Sequence, residues 1–300
     1  MLKRWSIYFK EMYPLLSRIL LGFLLFFEIY FLVILTNRHF DFNIGVSEIV
    51  GAITIFSFLL LLRIADDFKD YKTDIKLFPN RPLPSGRVTK KDLKILAVIV
   101  LGTIIPLNII FMNNLLYFTI LMVYGLLMSV WFFSRTKIQK SLPLALITHN
   151  PIQLIINLYI ISFTCIKYGI QLVSFNNFLI LITLYFSGLI WEIGRKIKAP
   201  KDETEYVTYS KLFGYKKATL FILGVMFVDM ITTSMLLYKL YEVAVVTAVL
   251  SYCWLIRQCL VFIKTPEKFT LISKIEKYIL VTEATVVIVE IIFLVHRVFI

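Results

Sequence analysis

Apolar residues run in long uninterrupted stretches along this chain, at about 19–36, 45–65, 95–112, 114–133, 142–164, 172–192, 217–238, 240–263 and 275–298. Each approaches the roughly 20 residues that a helix needs to cross a hydrocarbon core about 30 Å thick. A helix also satisfies every backbone N–H and C=O within its own segment, which lipid cannot do for it. The pattern predicts an all-α integral membrane bundle of about nine transmembrane helices, in one domain over residues 1–300. Short polar joints at Asn113–Asn114 and Lys239–Leu240 predict tight helical hairpins. Two intervals between stretches are long, at about 66–92 and 194–216. Long ordered loops tend to carry function. Each follows an even-numbered span and opens on acidic residues, which hints at an internal repeat.

The basic residues follow the same alternation. With the amino terminus in the cytoplasm, segments 1–18, 63–94, 135–140, 195–217 and 264–277 hold 27 of the 32 Lys and Arg residues. Arg38, Lys167, Lys239 and Arg297 fall on the opposite side, and Arg257 lies within a span. This is the asymmetry of a multi-pass protein oriented by its cytoplasmic bases. It predicts both long loops in the cytoplasm and the carboxyl terminus opposite; in a bacterium the membrane would be the plasma membrane. Lys3, Arg4 and Lys10 precede an apolar run from near Ile19 that no small-residue cleavage pattern follows, so this run reads as the first span.

Composition narrows the function classes. At 59% hydrophobic residues and a mean hydropathy of +0.82, the chain holds more apolar surface than a soluble core hides. A net charge of +13 would suit nucleic acid. The bases flank spans, however, so nucleic acid is not an expected partner. Cys165, Cys253 and Cys259 form no CxxC and no even framework, which argues against disulfides and zinc.

The sharpest chemistry lies where the second stretch ends, in Arg63-Ile-Ala-Asp66-Asp67-Phe-Lys-Asp70-Tyr-Lys-Thr-Asp74. If the helix continues, Arg63, Asp67, Asp70 and Asp74 share one face, at spacings of 4, 3 and 4. Carboxylates so placed repel one another unless a cation sits among them. Mg²⁺ suits such a place, since it takes oxygen ligands and is commonly shared with substrate phosphates. The alternative is a solvated helix end neutralised by Lys69, Lys72 and Lys76. Downstream, Pro79-Asn80-Arg81-Pro82-Leu83-Pro84-Ser85-Gly86-Arg87 forms a rigid non-helical turn. That turn can carry Arg81 and Arg87 back over the acids, where a guanidinium would grip phosphate oxygens.

Residues 63–89 resemble the UbiA superfamily of intramembrane prenyltransferases. That family's first motif is NDxxDxxxD; here it reads Asp66-Asp67-x-x-Asp70-x-x-x-Asp74, with Asp for the leading Asn, and an RPLPSGR stretch follows. The resemblance implies a nine-helix bundle. It also implies Mg²⁺ held by Asp66, Asp67, Asp70 and Asp74, and a prenyl diphosphate bound through Arg63, Arg81, Arg135 and Lys137. The family's second acidic motif follows the sixth span, where this chain has Trp191-Glu192-Ile-Gly-Arg195-Lys196. Glu192 matches the first acid, and Lys196 stands where the next is expected. Either Glu192 and Asp202 hold a second Mg²⁺, or Arg195 and Lys196 take over part of that ion's charge toward the diphosphate. Asp67, Asp70 and Glu192 are the implied catalytic residues. The stretch Thr208-Tyr209-Ser210-Lys211-Leu212-Phe213-Gly214 looks like the family's end to this loop.

Such a site ionises a prenyl diphosphate, stabilises the departing oxygens and shields an allylic cation from water. In the fifth span, Asn150, Gln153 and Asn157 share a face, as an acceptor pocket or as interhelical hydrogen-bonding groups. Glu283 and Glu290 share a face of the ninth without an assigned role. The expected function is Mg²⁺-dependent transfer of an isoprenoid from its diphosphate to an acceptor, a small aromatic or a lipid. Asp66-Asp67-x-x-Asp70 also spells the DDxxD of terpene cyclases, which need no acceptor, and a transporter is the non-enzymatic rival.

Overall fold

The computed structural model describes residues 1–299, with side-chain surroundings through His296. The side chain of Arg297, counted above among the bases opposite the cytoplasm, lies outside the described residues. The described residues form fourteen α-helices: α1 (Leu2–Glu11), α2 (Leu15–Thr36), α3 (Val46–Lys69), α4 (Tyr71–Leu77), α5 (Lys90–Phe111), α6 (Leu115–Ser129), α7 (Arg135–Lys140), α8 (Leu142–His149), α9 (Ile152–Tyr168), α10 (Phe175–Gly194), α11 (Tyr209–Phe213), α12 (Tyr215–Leu240), α13 (Val245–Lys264) and α14 (Leu271–Phe299). The described residues contain no β-strand.

Among the described residues eight segments are long and apolar enough to span a membrane: α2, α3, α5, α8 with α9, α10, α12, α13 with its preceding turn, and α14. Their outward residues include Leu16, Ile110, Ile147 and Leu280, each at least two-thirds exposed, a surface suited to lipid rather than water. The protein is a multi-pass integral membrane bundle. The fourth apolar stretch departs from expectation. Its helix α6 has only 15 residues, and Trp131, Phe132 and Phe133 then turn with φ of 56°, 48° and 56°. Left-handed backbone costs a non-glycine residue roughly 1–2 kcal/mol, so this turn ends the helix where hydropathy alone would extend it to 133. The fifth stretch is kinked between α8 and α9 at Asn150-Pro151, where proline cannot donate to the helix ladder.

The chain divides into two compact units. The first comprises Met1–Tyr30, Phe42–Arg135 and Leu158–Gly169. In it α3 packs on α5 and α6. Gly51 lets the ring of Phe26 approach so closely that a Cβ there would lie 2.2 Å from it, a small-residue contact typical of membrane helices. A buried polar lattice ties three helices: Asn108 donates to Thr54 (2.8 Å), Tyr159 donates to Asn108 (2.8 Å), and Asn114 donates to the Tyr159 carbonyl (2.8 Å). The second unit comprises Phe31–Asp41, Thr136–Asn157 and residues from Ile170 onward. There α10, α12, α13 and α14 pack around Ile193, Ile222, Leu255, Cys259, Phe262 and Ile275, all nearly inaccessible. Each unit carries one of the two long loops.

Candidate active site

In the first unit the helix does not continue through the aspartates. It stops at Asp70 (φ −98°, ψ 4°), and α4 restarts at Tyr71. Aspartate is a poor interior helix former that favours helix ends, and four carboxylates in nine positions repel along a shared face. The single continuous face expected over residues 63–74 is thus broken after its second acid. Three of the four acids are neutralised locally. Asp67, 4% exposed, accepts from Arg63 at 2.5 Å and from the Tyr8 hydroxyl at 2.6 Å. Asp66 pairs with Lys69 at 2.8 Å, and Asp74 with Arg81 at 2.8 Å.

Asp70 differs. Its carboxylate forms no ion pair among the described residues and does not cap α4. Burial pushes its pKa above the ordinary carboxylate value, with the charge on Lys69 opposing and those on Asp66 and Asp74 adding to the rise. Arg135 stands by, donating to the Lys69 carbonyl at 3.3 Å. The Lys69 ammonium lies 4.7 Å over the Trp131 ring, and Tyr124 packs on Phe132. The left-handed aromatic turn thereby holds both cations beside Asp70. Strained backbone of this kind collects at functional sites.

The amino-terminal segment, read from sequence only as a basic tail, is a helix clamped onto this site. Arg4 makes a two-pronged contact to Asp92 (2.7 and 2.8 Å), and Trp5 donates to the Asp92 carbonyl (3.0 Å). Asp92 in turn closes a capping box with Thr89 at the start of α5. Tyr8 is fully buried among Leu60, Ile64, Leu83 and Val88. Burial and the Asp67 charge raise its pKa strongly, so it stays a neutral donor. The proline-rich turn delivers Arg81 to Asp74, where the guanidinium also lies 3.9 Å over Phe78. Arg87, by contrast, turns away from the acids to Glu11 of α1 and the Asn80 carbonyl. Gly86, at φ +76°, makes that turn possible.

Among the described residues no three His, Cys, Asp or Glu side chains converge as a ready-made metal cage. Mg²⁺ keeps several waters and is bound by one or two carboxylates together with substrate phosphates. Asp70 is the available carboxylate, and Asp66 and Asp74 each share theirs with one base.

In the second unit, Glu192 near the end of α10 accepts from Arg195 (2.7 Å) and pairs with Lys196 (2.7 Å). Arg195 also lies 5.1 Å from the Trp191 ring centroid, and the Trp191 indole donates to Glu276 at 3.2 Å. Asp202 sits exposed on a short 3₁₀ turn. Its neighbour Glu203 anchors the loop. The Glu203 carboxylate accepts from Thr208 (2.7 Å) and Ser210 (2.5 Å), and Ser210 accepts the Lys198 amide (2.8 Å). This lock folds the loop back so that the Tyr209 amide reaches the Lys196 carbonyl (2.9 Å). The Tyr209 hydroxyl is buried without a hydrogen-bond partner, and burial with the nearby Glu192 charge pushes its pKa up to about 12. Sequence reading passed over Tyr8 and gave Tyr209 and Glu203 no role of their own. The alternation of Trp5, Tyr8, Phe9 and Met12 at helical spacing is the signal that would have found the first.

The remaining expected residues separate. Lys137 is exposed on α7. Gln153 donates to Asn157 at 2.9 Å, and fully buried Asn157 donates to the Leu181 carbonyl of α10 at 3.3 Å, so these two join helices. Asn150 caps α8 and has a buried side-chain oxygen with no partner. Glu283 is bonded to Ser187, and Glu290 is buried with an unpartnered carboxyl oxygen.

No family model and no curated protein sequence matches the chain. A solved structure of digeranylgeranylglyceryl phosphate synthase, described in membranes, matches with a TM-score of 0.68 at 17% identity. The match covers 98% of this chain and 99% of that one. At this identity the likeness is one of fold, and the bundle described here is the fold of that membrane enzyme.

Proposed function

We propose that the chain is a Mg²⁺-dependent intramembrane prenyltransferase of the UbiA type, moving an isoprenoid from a prenyl diphosphate to an acceptor that is a small aromatic or a lipid. The observation that carries this reading is Asp70, a half-buried carboxylate at the end of a span that forms no ion pair among the described residues and is flanked by Lys69 and Arg135. It stands inside a D-D-x-x-D-x-x-x-D motif on a fold shared with a UbiA-family prenyltransferase. The charge alternation supports cytoplasmic placement of both long loops.

Asp70 would hold the ion, with Asp66 and Asp74 completing its protein ligands as Lys69 and Arg81 turn to phosphate oxygens. Bound Mg²⁺ supplies charge stabilisation to the departing diphosphate. Arg63 and Tyr8 fix Asp67 and keep the end of α3 in place. The bond from the allylic carbon to the diphosphate oxygen breaks, and the oxygen keeps the electron pair. The acceptor nucleophile bonds to that carbon and loses its proton. Apolar helices exclude the water that would quench the cation.

The test is incubation of purified protein with a panel of prenyl diphosphates and Mg²⁺, with and without membrane lipid extract, and identification of products by mass. A product of acceptor mass plus isoprenyl, formed only with Mg²⁺, is expected. Diphosphate release without any acceptor would indicate a cyclase, and no release under any condition would refute an enzymatic role.

A further inference from the structure

The second unit contains a polar cavity of about 790 Å³ at the helix ends opposite the Glu192 loop. Asn176, at the start of α10, lines it, whereas Glu192 lies near the other end of that 20-residue helix, about 24 Å away at 1.5 Å per residue. The cavity is lined by Arg38, Lys239, Asn37, Asn176, Phe40 and Phe293 among others. Only four bases are expected on this side of the membrane, and one, Lys167, is paired with Glu48. Two of the remaining three converge here.

The local backbone prepares the site for an anion. The last carbonyls of a helix ordinarily project negative potential. At the end of α2 they are all engaged. Val33 accepts from Asn37 (2.8 Å), Ile34 from the His39 amide (2.9 Å), Leu35 from the Arg38 amide (3.1 Å) and Thr36 from Asn176 (2.9 Å). Arg38 itself takes a left-handed conformation (φ 54°), and among the described residues its guanidinium has no acidic partner. The Lys239 ammonium donates at 2.6 Å to the side-chain amide oxygen of Asn176 and lies 5.4 Å over the Phe175 ring, neutral partners that leave its charge without a counter-ion among the described residues. Asp41 and Glu242, the nearest acids in sequence, pair with neither base. The rings of Phe40 and Phe293, 6.3 Å apart, add the apolar rim of a headgroup-level site.

We propose that this cavity binds the phosphate of an anionic membrane lipid, with Arg38 and Lys239 gripping the phosphate and Phe40 and Phe293 packing on the start of the acyl chains. A lipid fits better than a soluble phosphate because the site lies at the end of lipid-facing spans and the volume exceeds one phosphate severalfold, within the size range of ligand pockets.

The experiment is native mass spectrometry of the full chain released from detergent. It is titrated separately with phosphatidylglycerol, phosphatidylcholine and inorganic phosphate, with thermal melting in parallel. The parent should retain phosphatidylglycerol at least fivefold over phosphatidylcholine. The Arg38→Gln, Lys239→Gln double variant should lose that preference, and Lys239→Arg should keep it. Arg38→Gln alone, at an exposed position with no side-chain hydrogen bond among the described residues, should keep the parent's melting temperature without lipid and lose at least half of the retention. Lys91→Gln, on an exposed base of the other unit, should change nothing. Equal retention in parent and both Arg38 variants would overturn the proposal, as would protection by inorganic phosphate equal to that by the lipid.

Discussion

At the end of α3 the acids exceed the bases that reach them, and at the end of α10 the balance is reversed. Asp66, Asp67 and Asp74 each have one basic partner, and Asp70 has none. Glu192 has two, Arg195 and Lys196. The first site therefore leaves one carboxylate without a direct ion pair among the described residues, whereas the second sets two bases on a single carboxylate. Two loops that look like repeats of one motif thus differ in how their charges are paired. The first is also braced from outside by α1, through Tyr8, Arg4 and Glu11, whereas the second is braced from within by Glu203.

The largest expected effect belongs to Asp70. Asp70→Asn should lower kcat by about 10²–10³-fold, the usual loss when one stabiliser of developing charge is removed, with melting temperature unchanged. Steady-state kinetics on the product identified by mass would show it, and parent-like turnover would erase the distinction between the loops. Next comes Arg63→Met, which leaves the buried Asp67 carboxylate without its cation. Breaking such a pair costs about 3 kcal/mol or more, read as a lower midpoint in detergent unfolding; an unchanged midpoint would mean that Asp67 is not held by charge.

Smaller effects test the bracing and the excess. Tyr8→Phe removes one hydrogen bond to a buried carboxylate, for a loss of about 1–3 kcal/mol, and should raise the Mg²⁺ concentration needed for half-maximal rate. In the second loop Glu192→Gln should free Arg195 and Lys196. Its stability should change by no more than about 1 kcal/mol, since these ion pairs are partly exposed. The KM for the diphosphate substrate should fall, while Lys196→Met should raise it. If the two variants move KM the same way, the second loop does not act through its positive charge. The smallest effect is a pH dependence at α1. Arg87 hydrogen bonds hold the Glu11 pKa below the ordinary 4.5. That pair therefore stabilises the protein above this value and stops doing so as pH falls through the lowered one. Melting curves of the parent should converge on those of Arg87→Gln toward acid, and high salt should blur the difference at every pH.

Much of this architecture is legible in the sequence because membrane helices announce themselves by length and hydropathy. Eight of the nine expected spans, as far as the described residues show, and the tight joints at Asn113 and Lys239 follow from that. What hydropathy does not encode is backbone handedness. Trp131, Phe132 and Phe133 extend an apolar run, yet they form a left-handed turn that cuts α6 short. Nor does it encode long-range pairing. The spacing of the aspartates pointed to one shared helical face, whereas the helix stops at Asp70 and restarts at Tyr71. Arg81 and Arg87 are equivalent in the sequence of the turn. Gly86 at positive φ separates them, sending Arg87 to Glu11. Tyr8 escaped notice because a ten-residue amphipathic helix is too short to stand out beside spans twice its length.

Calorimetric titration of a prenyl diphosphate into the protein in nanodiscs, with and without Mg²⁺, tests most directly whether Asp70 is a Mg²⁺ ligand. In the parent Mg²⁺ should tighten binding by about tenfold or more, which corresponds to at least 1.4 kcal/mol. In Asp70→Asn that gain should vanish while the Mg²⁺-free affinity stays near the parent's. An equal Mg²⁺-dependent gain in both proteins would contradict the account.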